Sequence, residues 1–174
     1  MDDDGTLPGE FASVRAALAA DLPVSSTTAL LHGDYRLGNV VLAADPPARV
    51  AGVLDWELAA VGDPLVDLGY ALATYAVPDE APHALTELSE LTLAPGFPSR
   101  EELAHRYARA TGADLTRLAW YEALALFGVA VLFEYNRRRT ATGDAPDHYA
   151  DPALVAGLLD AARRALARDR SPGT

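Results

Sequence analysis

The sequence predicts a mainly helical α+β domain carrying one small β-hairpin. Two apolar, β-branched runs, Val40-Val41-Leu42 and Val50-Ala51-Gly52-Val53-Leu54, flank Ala44-Asp45-Pro46-Pro47-Ala48, a cluster of turn residues. This strand–turn–strand pattern ends at Asp55. Beyond Asp63 the chain reads as helices, most of them opened by a recognisable start signal. The length of 174 residues suits one domain with a sizeable core.

Taken in order, residues 1–10 read as an N-terminal tail. Phe11, Val14 and Leu18 recur at helical spacing and predict a helix to Ala20. A polar connector, 23–28, leads into Ala29-Leu30-Leu31 and then His32-Gly33-Asp34. Asp63 as N-cap and Pro64 at the first helical position open a helix to Tyr75. Ser99-Arg100-Glu101-Glu102 has the spacing of a capping box for a helix to Ala110, closed near Gly112. Leu118–Arg138 predicts a long, largely buried helix, and Asp151-Pro152 starts a last one reaching Arg168. Residues 11–170 are expected to form a single unit without repeats, and 171–174 a tail. Gly143 to Tyr149 is expected to be the most mobile connection.

Composition narrows the function. Half the residues are hydrophobic and 22% are charged, as in an ordinary soluble globule. There is no cysteine, so disulfides and thiolate chemistry are excluded. The acidic start Met1-Asp2-Asp3-Asp4 lacks the order of a signal peptide. The apolar stretch Ala123 to Phe133 is too short to cross a bilayer. A cytoplasmic protein without membrane contact is expected. A formal net charge of −11 argues against nucleic acid, which is held by cationic patches. It permits a cationic substrate, although solubility explains it as well. All 14 basic side chains are arginine, so no lysine ammonium can reach a nucleotide phosphate.

The segment that carries chemistry is His32-Gly33-Asp34-Tyr35-Arg36-Leu37-Gly38-Asn39, a His-x-Asp-x-x-x-x-Asn pattern between two apolar runs. A second carboxylate stands in Leu54-Asp55-Trp56-Glu57. A third pair stands in Gly62-Asp63-Pro64-Leu65-Val66-Asp67-Leu68. Phosphoryl transfer calls for these residue types together, because it needs positioning and charge neutralisation more than covalent help. One carboxylate must face the attacking hydroxyl. An amide oxygen and another carboxylate must hold Mg²⁺, a hard ion that prefers oxygen ligands. A turn holding Asp34 and Asn39, with a hairpin returning to Asp55, can supply both. Gly33-x-x-x-x-Gly38 has P-loop spacing, but Asn39 stands where that motif needs lysine.

These residues resemble the catalytic loop and metal-binding segment of the aminoglycoside phosphotransferase and choline kinase family. They are most similar to a branch, related to phosphotransferases associated with acyl-CoA dehydrogenases, that reads His-Gly-Asp-Tyr-Arg, Leu-Asp-Trp-Glu and Gly-Asp-Pro. The resemblance extends through Trp120-Tyr121 and Phe127 to Arg137–Arg139. It implies a protein-kinase-like C-terminal lobe, with ATP and Mg²⁺ as cofactors and a small hydroxylated molecule as substrate. By the same resemblance, Asp34 is the catalytic aspartate that receives or orients the hydroxyl proton. Asn39 and Asp55 are the metal ligands, and Asp67 is a helical aspartate that steadies the loop through its backbone. His32 is a structural histidine. Two roles are inferred from position alone. Arg36, two residues past Asp34, is a candidate to neutralise the transferring phosphoryl group, with a surface ion pair as the rival reading. Glu57 is a candidate to hold a metal-bound water or a second metal, with a solvated side chain as its rival. Asp63 reads as a helix cap, and Arg137–Arg139 as a solvated helix end.

A complete kinase of this type also has an N-terminal nucleotide lobe with a phosphate-covering loop and a strand lysine. Only 31 residues precede His32, and they contain neither feature. The chain alone is therefore expected to turn over little ATP. Three readings remain open at this level. The chain is the catalytic C-lobe of a kinase completed by a separate N-lobe polypeptide, a non-catalytic ligand-binding or interaction module derived from such a lobe, or a homo-oligomer whose neighbours complete a site.

Overall fold

The computed structural model describes residues 9–169 except Ser26 and Asp79. The expected tails at 1–10 and 171–174 lie largely outside these residues, although helix α1 already begins at Gly9. Helices dominate: α1 (Gly9–Ala19), α2 (Leu65–Thr74), α3 (Ala84–Glu87), α4 (Arg100–Thr111), α5 (Leu118–Thr140) and α6 (Pro152–Asp169). Four short strands, β1 (Ala29–Leu31), β2 (Val40–Leu42), β3 (Val50–Val53) and β4 (Ala60–Gly62), form two antiparallel pairs.

The expected hairpin is β2–β3, with Val40 opposite Val53 and an irregular register between Val41 and Leu42. The second pair was not expected. β1 and β4 are separated by 28 intervening residues, and Leu31 lies opposite Ala60. Three-residue strands are too short to show alternation, so only tertiary pairing reveals them. The same limit hid α3, a single helical turn.

The core is built on α5. It packs against α6 and α2, and α1 closes the side, so that Val14, Trp120, Ala123, Ala130, Leu158 and Ala162 are buried together. At 23 residues α5 is long and apolar enough to span a bilayer by length and composition, which corrects the shorter estimate from its apolar centre. Here its apolar surface is used by α2 and α6 instead. Gly69 lets α2 approach closely, because a Cβ there would fall 2.6–2.9 Å from the Tyr121–Glu122 backbone. Leu68 and Leu72 on the other side of α2 pack with Ala104 of α4.

Local signals behave largely as their chemistry requires. Asp63 Oδ1 accepts the Leu65 N–H at 2.9 Å, capping α2. Ser99 Oγ accepts the Glu102 N–H at 3.1 Å, and Gly112 closes α4 at φ +76°. The reciprocal half of the expected capping box is replaced: the Glu102 carboxylate pairs with Arg106, one turn on.

Candidate active site

The loop after β1 is fixed from below by α2. The Asp67 carboxylate accepts two backbone N–H groups, from His32 at 2.6 Å and Gly33 at 2.9 Å. Gly33 takes φ +85° and presses on the next segment, since a Cβ would sit 2.5 Å from the Leu58 carbonyl oxygen. The loop then turns through a 3₁₀ segment, Leu37–Asn39. Asn39 is buried, and its amide nitrogen donates to both the Asp34 carbonyl (2.9 Å) and Asp34 Oδ2 (2.8 Å). That arrangement turns the Asn39 amide oxygen away from Asp34.

The second carboxylate arrives on β3. Leu54 N–H, just past the end of β3, donates to the Asn39 carbonyl at 2.9 Å, so Asp55 directly follows a residue locked to Asn39. Asp55 adopts φ 67°, ψ 58°, and among the described residues it is the only non-glycine residue at positive φ. Left-handed backbone costs a residue with a Cβ free energy, and such strain collects at functional sites. Asp55 is exposed, and its carboxylate has no hydrogen-bonding partner among the described residues.

His32 joins the two segments. Its Nδ1 accepts the Asp34 N–H at 3.2 Å, which leaves the proton on Nε2 to bond the Leu54 carbonyl at 2.7 Å. The Trp56 ring lies 4.7 Å from the imidazole, centroid to centroid, and its indole N–H donates to Val53 O. With both nitrogens engaged and the ring buried, His32 holds structure and is not poised to transfer a proton.

Arg36 folds back onto Asp34, with Nε 3.4 Å from the carboxylate, and its guanidinium lies over Gly38. Glu57 is exposed on the 3₁₀ turn Trp56–Leu58 and is not drawn to Asp34 or Asn39. Arg137 and Arg138 pair with Glu134 on their own helix. Sequence reasoning missed Tyr70, a half-buried tyrosine of α2 that packs on the main core. Burial first, and then the Asp34 carboxylate, push its phenol above the usual tyrosine range. Its place one turn after Asp67 was the available signal. Trp56 was read only as part of a motif. The cavities of ≈ 520, ≈ 320 and ≈ 270 Å³ are lined by other residues, none of them from this loop.

Two carboxylates and an amide, brought to adjacent turns by paired strands, are the arrangement that a family comparison can test. The phosphotransferase enzyme family, APH, matches residues 2–121. The chain belongs to this family. A crystal structure of a candidate aminoglycoside phosphotransferase from Ralstonia eutropha JMP134 superposes with a TM-score of 0.66 and 26% identity, over 95% of this chain and 49% of that one. Acyl-CoA dehydrogenase family member 10 of Mus musculus is 33% identical over 129 residues, 74% of this chain and 12% of its own length. Member 11 of Gallus gallus is 36% identical over 139 residues, and member 11 of Homo sapiens 32% over 135; each match covers 17% of the relative. The chain thus spans less than a fifth of these long relatives and about half of the Ralstonia protein. The expected fold, a mainly helical lobe of kinase type, is the observed one.

The family uses ATP and Mg²⁺, and the donor set here suits a hard cation. The Asn39 amide oxygen and the Asp55 carboxylate are both oxygen donors without a hydrogen-bonding partner among the described residues. Among the described residues no group of three or more His, Asp or Glu is arranged to hold a metal. Mg²⁺ at this loop would therefore need oxygens from elsewhere, such as water and nucleotide phosphates.

Proposed function

We propose that this chain is the C-terminal catalytic lobe of an ATP-dependent phosphotransferase that moves the γ-phosphate to a hydroxyl of a small molecule. The observation that carries the reading is the lock between Leu54 N–H and the Asn39 carbonyl, which sets Asp55 beside the Asp34–Asn39 turn. In this reading the Asp34 carboxylate orients the acceptor hydroxyl and takes its proton as the oxygen attacks phosphorus and the bond to ADP breaks. Asn39 and Asp55 would hold Mg²⁺, which supplies charge neutralisation at the phosphates. Arg36 leaves Asp34 to meet the transferring phosphoryl group. His32, Gly33 and Asp67 keep the loop in one geometry, and such positioning supplies much of the catalysis.

A nucleotide lobe, on a separate polypeptide or another segment, is proposed to cover the strand face. Leu30 and Val61 stand directly opposite each other on β1 and β4 and are 67% and 76% exposed. Val41, Leu42, Val50, Leu54, Trp56 and Leu58 are exposed in the same region of chain. Exposed apolar side chains of this kind suit an interface. The test is ATP consumption with hydroxylated acceptors, with and without an added nucleotide lobe. Turnover that needs the lobe and disappears in Asp34→Asn supports the reading. No turnover with any nucleotide lobe would leave the ligand-binding module or the self-associating chain, and sedimentation separates those two.

A further inference from the structure

Asp55 holds a left-handed backbone, φ 67° and ψ 58°, which a residue with a Cβ adopts only at a cost. Aspartate usually reaches this region when its own side chain bonds a nearby backbone group. Asp55 makes no such bond: its carboxylate is exposed and does not cap the 3₁₀ turn that follows. The conformation is therefore imposed by its neighbours. On one side, the Leu54 N–H donates to the Asn39 carbonyl at 2.9 Å, and the Leu54 carbonyl accepts from His32 Nε2 at 2.7 Å. On the other, the Trp56 indole N–H reaches back across Asp55 to the Val53 carbonyl at 2.9 Å. The indole ring is 46% exposed, so burial alone does not fix it, but it packs on the His32 imidazole with centroids 4.7 Å apart. One buried histidine thus touches both neighbours of Asp55.

We infer that Trp56 is a positioning residue for Asp55: its indole N–H staples the backbone across residue 55 and, with the ring seated on His32, holds the left-handed turn that carries the carboxylate. The functional half of this inference rests on Asp55 being a ligand for Mg²⁺; the staple itself does not depend on that reading. It accounts for the residue type. Phenylalanine or leucine would also offer an apolar side chain to His32, but tryptophan adds a hydrogen-bond donor, and its indole carries no acceptor that could compete with the Val53 carbonyl. Without the staple, the turn relaxes toward negative φ and its strain is released. The carboxylate then spends less time in the geometry that the metal needs, and apparent metal affinity falls with that fraction.

The experiment combines NMR, unfolding and kinetics. In the unaltered chain the Trp56 indole N–H should exchange slowly although its ring is half exposed, and Asp55 should show the strong intraresidue N–H to Hα NOE of a positive φ. In Trp56→Phe, which keeps an aromatic ring and removes the donor, that NOE should weaken. Asp55→Gly should stabilise the unaltered chain against urea but leave Trp56→Phe unchanged, because the strain has already gone. With a nucleotide lobe supplied, Trp56→Phe should raise the Mg²⁺ concentration for half-maximal rate about fivefold, the effect of a competent fraction reduced to about one fifth, with a smaller change in kcat. A purely structural loss would lower stability without moving this Mg²⁺ dependence. A fast-exchanging indole N–H, an unchanged Asp55 NOE, or equal stabilisation by Asp55→Gly in both backgrounds overturns the inference, as does an unchanged Mg²⁺ requirement in the active complex. If the unaltered chain with the lobe shows no turnover, the phosphotransferase reading has failed, and the NOE and the unfolding measurements alone decide whether Trp56 positions Asp55.

Discussion

The imidazole Nε2 of His32 lies 2.7 Å from the carbonyl oxygen of Leu54, and this bond ties the loop bearing Asp34 to the strand that delivers Asp55. Each of the two carboxylates belongs to a different turn, so their relative position depends on a few such ties.

Asp67→Ala should destabilise the protein by about 3 kcal/mol, because it leaves the partly buried His32 and Gly33 N–H groups without their charged acceptor. Urea unfolding measures the loss. Amide exchange at 32 and 33 should accelerate beyond the global change. Equal stability of variant and wild type would mean that water replaces the carboxylate at no cost.

Gly33→Ala and Gly38→Ala should behave differently. At Gly33 a side chain meets positive φ and the Leu58 backbone together, so a loss of about 2–4 kcal/mol is expected. At Gly38 the obstacle is only the mobile tip of Arg36, at 2.3 Å from the added Cβ. That variant should fold with near wild-type stability and an Arg36 displaced from Asp34, which a crystal structure would show.

Asp55→Gly should raise stability by about 1 kcal/mol, since glycine accepts φ 67° without the Cβ penalty. The same change should abolish phosphoryl transfer by the completed enzyme. A stabilised, inactive variant is the signature of strain retained for function. A destabilised one would show that the carboxylate has a structural partner.

Acid should weaken the fold through His83. Burial first, with Arg100 and Arg164 nearby and partly offset by Glu80, lowers its pKa to about 4. Between the unfolded value near 6.5 and this value, the unfolded chain binds a proton that the native chain refuses. Stability from this group is complete above pH 6.5 and falls as pH drops toward 4, by up to about 3 kcal/mol. Urea midpoints at pH 7, 5.5 and 4.5 should show this slope, and His83→Asn should flatten it.

Calorimetry of the chain with Mg²⁺ alone should give little heat, because two protein oxygens do not displace its waters. ATP turnover by the chain alone should be negligible. With a nucleotide lobe present, Asp34→Asn should reduce kcat by at least about 100-fold. Robust turnover by the unaided 174-residue chain would contradict the dependence on a second lobe.

Much of the fold was legible because its long helices carry their own punctuation: Asp63-Pro64, Ser99 with Gly112, and Asp151-Pro152 each fall where a helix starts or stops. The β2–β3 hairpin was legible from its turn. The β1–β4 pair was not, because three residues hold no periodicity and their partner lies 28 residues away along the chain. At the site, the spacing of Asp34 and Asn39 foretold one loop, and their bond at 2.8 Å is local in sequence. The backward fold of Arg36 over Gly38 left no local trace.

The sequence by itself determined which chemistry is available: oxygen ligands, carboxylates, an arginine two residues from Asp34, and neither cysteine nor lysine. It also determined most helix boundaries, since caps and proline act on neighbouring backbone groups. Only the tertiary structure decided how these groups face one another. Asp67 reaches back 35 residues to the loop, His32 reaches forward 22 to Leu54, and Gly69 admits the α5 backbone that fixes α2. Such contacts are chosen by close packing and by the cost of leaving buried N–H groups unpaired, and both act between segments that are distant in the chain.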